Sequence, residues 1–125
     1  MITKAIISDG DKYLIAEIGA GAYTGLWDFI GTFLSEDKTP EDFLKEFVEA
    51  NLGLKIKVGE ILARYDAESS HSYDTVFYLC ELVDGTVNIA CLGYRVAEWV
   101  KKEDFKSYSF ESRNHVAIEA LLNIE

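Results

Sequence analysis

Apolar positions recur with period two or in short blocks over most of the chain, and at helical spacing in two segments. Residues 2–8 and 12–17 read as strands joined across Asp9-Gly10, a hairpin signal. Gly19, Gly21 and Gly25 then predict a flexible loop before Trp27. The first helical segment spans residues 40–52. Thr39 is its N-cap, Pro40 its first position, Asp42 faces back toward the cap, and Gly53 is the stop. Phe43, Leu44, Phe47, Val48 and Leu52 form its apolar face.

Strand patterns return at residues 55–65 and 75–83, the second expected to meet residues 86–92 across Asp84-Gly85. Residues 95–100 make a further short strand, and 112–123 a final helix burying Val116, Ala120, Leu121 or their neighbours. The pattern predicts one α/β domain over residues 1–125, of α+β character, with a mixed, curved sheet between helices.

Composition narrows the function classes. A chain of 125 residues that is 49% hydrophobic and 13% aromatic can bury a real core by itself. Its net charge of −10, with 12 basic residues, opposes a nucleic-acid surface, which needs clustered Lys and Arg. The basic pair Lys101-Lys102 is followed at once by Glu103-Asp104. Cys80 and Cys91 each lie in an apolar run without metal-ligand spacing, and read as small buried hydrophobes of a reducing compartment. No apolar run is long enough to span a bilayer, and no basic leader with an apolar core is present. A cytoplasmic location is the expectation, with no membrane partner.

The stretch GTFLSEDKTPEDFLKEFVEANLGL, residues 31–54, carries the candidate chemistry. It resembles, without a gap, the signature of the Nudix hydrolases: Gly, five residues, Glu, seven residues, Arg-Glu-apolar, one residue, Glu-Glu, one residue, Gly-apolar. The preceding Gly25-Leu26-Trp27-Asp28-Phe29-Ile30-Gly31-Thr32 resembles the family's G-x-W-x-x-P-G-G segment, with Ile30 for proline and Thr32 for the second glycine. In that register Lys38 stands at the first Glu and Glu46 at the Arg. Phe47 stands at the next Glu, and Ala50 and Asn51 at the Glu-Glu pair, before the matching Gly53-Leu54. Thr39-Pro40-Glu41-Asp42 is similar to the family's Thr-Pro-Glu-Glu helix start, and Trp99-Val100 to its Trp-Val strand. The resemblance implies a Nudix-type α/β/α sandwich.

It also implies attack of a metal-activated water on a diphosphate linkage. That chemistry needs clustered oxygen ligands for magnesium or manganese. Phe47 and Ala50 offer none and Asn51 a neutral one, so no cofactor is expected at the degenerate box. With about 100° between successive residues, Phe47, Ala50 and Asn51 share one arc, while Glu46 lies about 100° and Glu49 about 160° from Phe47. Rolling the helix to recruit those acids would expose apolar side chains worth roughly 1.5–3 kcal/mol each. Slipping the register by one residue lets Lys45-Glu46-Phe47-Val48-Glu49 mimic Arg-Glu-apolar-x-Glu, at the cost of an insertion before Gly53, an acid lost to Ala50, and the apolar face turned outward.

Other residues carry weaker signals. His71 in a polar loop and His115 on the last helix read as surface histidines. Asp66, Glu68 and Asp74 flank that loop, and Glu36-Asp37 precede the first helix; all read as solvated acids. Aromatic residues are the better ligand candidates. Tyr23, Trp27 and Phe29 lie where the resemblance puts a substrate-facing loop and strand, with Tyr65, Phe77 and Tyr94 as further walls of the same cavity. Stacking on such rings is worth about 1–3 kcal/mol per base, and Arg64 is the candidate phosphate contact. The plain alternative is that these rings are core.

Two readings follow from sequence. The first is a Nudix-fold protein resembling NTP or nucleoside-diphosphate pyrophosphohydrolases but without their metal-binding box, serving as a non-catalytic binding or interaction module. Its ligand would be nucleotide-like or another small aromatic, with a homodimer left open. The second is a divergent hydrolase of nucleoside-diphosphate compounds, using magnesium or manganese at a relocated site drawn from Glu36, Glu46, Glu49 or the 66–74 loop. The helix arc favours the first.

Overall fold

A computed structural model describes residues 1–69, 72–89 and 93–124. Seven strands form one mixed sheet among these residues: β1 (Ile2–Asp9), β2 (Lys12–Ile18), β3 (Trp27–Asp28), β4 (Ile30–Phe33), β5 (Lys55–Tyr65), β6 (Thr75–Asp84) and β7 (Tyr94–Lys101). Helix α1 (Pro40–Leu52) packs on one face and α2 (His115–Leu122) on the other. Short 3₁₀ turns at Lys102–Ser107 and Ser112–Asn114 connect β7 to α2.

β1 is the spine. It runs parallel to β6 from Ile2↔Thr75 to Ser8↔Glu81, and antiparallel to β4 from Ile2↔Phe33 to Ala5↔Ile30. The Asp9-Gly10 turn returns the chain to β2, which leaves β1 after two paired positions and pairs instead with β7 and β3. The sheet therefore splays, opening a groove between its halves. Gly31 marks the tightest backbone approach: a Cβ there would lie 2.0 Å from the Thr3 carbonyl oxygen.

Strand alternation sorts the core. Ala5, Ile7, Val76, Tyr78 and Cys80 face α1 with Leu44, Val48 and Leu52, while Ile6, Phe29 and Phe77 face α2 with Ala117 and Leu121. Burial in the last helix thus falls on Ala117 and Leu121, with Val116 and Ala120 only partly covered. Phe43 and Phe47 on α1 are half-buried and stack with centroids 5.8 Å apart. Helix α1 has the predicted ends: the Thr39 side chain accepts from the Asp42 N–H at 3.2 Å, and Gly53, at φ 72°, donates to the Glu49 carbonyl at 3.0 Å.

The expected hairpin across Asp84-Gly85 is not formed by residues 86–89, and 90–92 lie outside the described residues. Gly85 instead turns the chain against α1, where a Cβ would come within 2.3 Å of the Gly53 carbonyl oxygen. The Asn88 N–H then donates to the Leu52 carbonyl at 2.9 Å. An open helix C-terminus, with carbonyls needing donors, takes the segment that strand propensity alone would have paired. No helix is long and apolar enough to cross a membrane among the described residues.

Candidate functional site

Helix α1 presents three different sides. Phe47 lines the groove of about 320 Å³ opened by the splayed sheet, together with Lys4, Asp28, Thr32 and Tyr94. Asn51 donates its amide nitrogen back to the Phe47 carbonyl at 2.8 Å, and Ala50 is exposed. Glu46 reaches away to the loop and pairs with Lys38 at 2.6 Å. Glu49 lines a separate surface cleft with Glu41, Asp42 and Lys45. Glu36 is exposed in the loop, next to Asp37, which accepts from the Ser35 hydroxyl; that bond holds the Asp37 carboxyl below its usual range.

The groove holds a charge pair that the sequence reading missed. Lys4 Nζ donates to Asp28 Oδ2 at 2.7 Å and to the Phe29 carbonyl at 3.3 Å, with both residues 8% exposed. Asp28 Oδ1 has no hydrogen-bond partner among the described residues. Burial, and after it the Asp28 charge, pushes the Tyr94 phenol well up, against a backbone hydrogen bond from Gly31. A sequence signal did exist: Lys4 is a lone charge in the apolar run of β1, which implies a buried partner.

The aromatic candidates do not share one cavity. Phe29 and Phe77 are fully buried in the α2-side core, edge to face at 6.4 Å, so they are packing residues rather than ligand wall. Trp27 packs edge-on against Tyr108 at 4.9 Å. Arg64 is exposed on β5, and its charge acts on Tyr78 of the α1 face, away from Tyr23. Its neighbour Tyr65 points to the opposite face, as strand alternation requires. There it lines a cleft of about 360 Å³ with Tyr23, Phe33, Tyr73 and Arg113. Phe33 and Tyr73 meet edge-on at 4.8 Å, and the Arg113 guanidinium sits 5.8 Å from the Tyr23 ring centre while Glu111 holds its Nε at 3.1 Å. Tyr94 belongs to the groove instead, so the single aromatic cavity divides in two.

His115 is the exposed first residue of α2. His71 and Cys91 lie outside the described residues. Asp66 and Glu68 are exposed, and Asp74 Oδ1 accepts from the Ala67 N–H at 2.7 Å, closing the base of the 66–74 loop.

No protein-family model matches the chain, and no curated protein matches it. Solved structures do. The E. coli ORF135 protein is 24% identical, with a TM-score of 0.79 over 97% of this chain and 86% of that one. A MutT Nudix hydrolase from Burkholderia pseudomallei is 14% identical, at 0.79 over 96% and 95%. The Nudix domain of Shewanella oneidensis NrtR, crystallised with ADP ribose, is 15% identical, at 0.73 over 97% and 84%. The chain has the Nudix fold.

A Nudix fold implies a magnesium or manganese site on the α1 face toward the groove, and the donors there do not fit one. Phe47, Ala50 and Asn51 supply there a phenyl ring, a methyl group and an amide bonded to its own helix. The carboxylate that does line the groove, Asp28, is held by Lys4. Glu46 pairs with Lys38 while Glu49 lines the separate cleft, and among the described residues no group of three His, Cys, Asp or Glu is poised to hold an ion. The Lys38–Glu46 pair ties the loop to the helix.

Proposed function

We propose that this protein is a non-catalytic Nudix-fold binding module for a nucleotide-like or other small aromatic ligand. The observation that carries the reading is the side of α1 facing the groove: Phe47 lines the cavity where acids would have to converge, while Glu46 and Glu49 point elsewhere. Hard divalent cations need several oxygen donors in one place. The aromatic cleft and the groove supply the binding surface. Ile2 lines the first and Lys4 the second, two residues apart on β1 and so roughly 7 Å from each other. The neighbour crystallised with ADP ribose supports a ligand of this general class.

A product-release assay over nucleoside triphosphates, ADP-ribose and dinucleotide polyphosphates, with magnesium or manganese, should give no turnover above buffer. Turnover that is lost in Glu46→Gln or Glu49→Gln would replace this reading with a relocated metal site. Metal-free thermal shifts with the same compounds and their nucleosides test binding directly. A ligand selective for the native state at a hundred times its Kd adds about 2.7 kcal/mol. No shift with any of them would remove the small-molecule ligand and leave a protein-interaction role.

A further inference from the structure

The groove's electrostatics bear on which ligand it takes. Lys4 is its single cationic lining residue among those described, and Asp28 offsets that charge at 2.7 Å. The two charges cancel as a pair, so the groove has no net positive lining with which to draw a diphosphate, and Asp28 Oδ1 is shielded from solvent. A diphosphate entering here would meet a carboxylate already holding the ammonium, within a chain of net charge −10. An uncharged acceptor meets no such opposition. An ammonium has three N–H donors, and Lys4 spends two on Asp28 Oδ2 and the Phe29 carbonyl. Phe47 and Tyr94 add ring surface to the same cavity, whose volume of about 320 Å³ suits one heterocycle with a short substituent.

We propose that the groove binds an uncharged planar ring bearing a carboxamide or lactam carbonyl, which accepts from Lys4 Nζ while the ring lies against Phe47 and Tyr94. This rests on the non-catalytic reading and adds a selectivity to it: the protein prefers nucleosides, free bases or nicotinamide-like rings over the corresponding diphosphates.

The test is amide-resolved NMR titration of the isotope-labelled full chain with nicotinamide, uridine and inosine, against uridine diphosphate and inorganic pyrophosphate, each with EDTA and with magnesium. The expected result is saturable binding of an uncharged probe, with shifts at Lys4, Thr32, Phe47 and Tyr94 unchanged by EDTA. The corresponding diphosphate should bind at least about tenfold more weakly, and Phe47→Ala should weaken the uncharged probe by about tenfold or more. Mapping in the unsubstituted chain keeps the test decisive if that variant does not fold. Tighter binding of the diphosphate or pyrophosphate, shifts confined to the Tyr23 and Tyr65 cleft, or no binding by any uncharged probe would overturn the proposal. Release of uridine monophosphate in the magnesium samples would instead overturn the non-catalytic reading beneath it, so the two failures are distinguishable.

Discussion

Lys4 and Asp28 show how one residue pair conditions the whole groove. Each is a charge taken out of water, tolerable because the partner is 2.7 Å away. Removing one partner leaves the other buried and unpaired. Lys4→Met should therefore lower unfolding free energy by about 3–5 kcal/mol, measured by urea denaturation. Adding Asp28→Asn to that variant should recover part of the loss, since no isolated charge remains; a double variant as unstable as the single one would show that packing, not charge, sets the cost.

At the scale of the element, α1 has the ends that its sequence encodes and an ion pair to the loop before it. Its N-cap, proline start and glycine stop are intact, and the loop before it is tied down by Lys38 and Glu46. If that tie is electrostatic, Lys38→Glu alone should lower the melting temperature by placing two acids together. Lys38→Glu combined with Glu46→Lys should restore it. The arc shared by Phe47, Ala50 and Asn51 can be tested by adding acids to it. Phe47→Glu, Ala50→Glu and Asn51→Glu together should make the melting temperature rise with magnesium or manganese, as a newly formed site binds the native state. The unsubstituted chain should show no such rise.

For the whole molecule, burial makes the fold sensitive to alkali. The Cys80 thiol, pushed up to about 12 from an ordinary 9.0 chiefly by desolvation, is protonated in the native state where the unfolded chain would ionise. The stability this gives is complete below about pH 9 and is lost as pH rises from there toward 12. It falls by about 1.4 kcal/mol per pH unit from this group. The Tyr13, Tyr78 and Tyr94 phenols, also raised chiefly by burial, act in the same direction above pH 10.0. Urea midpoints measured from pH 8 to 11 should decline accordingly, and Cys80→Ala should flatten the lower part of that decline.

The sequence by itself determined what is encoded within a few residues. Thr39, Pro40 and Gly53 set the ends of α1, and the 3.6-residue turn alone set Glu46 and Glu49 about 100° and 160° away from Phe47. Period-two alternation placed most strands for the same reason: each depends on near neighbours and a fixed repeat. The tertiary structure decided everything that joins distant segments. It paired Lys4 with Asp28 across 24 residues, because one charge in an apolar strand needs a partner that only folding can bring. It sent Phe29 and Phe77 to the core, Tyr94 to the groove, and Tyr23 and Tyr65 to the cleft, which composition could not separate since the same rings suit all three. It also turned Gly85 onto the end of α1 instead of into a hairpin, because unsatisfied helix carbonyls competed for a donor that local propensity had assigned to a strand.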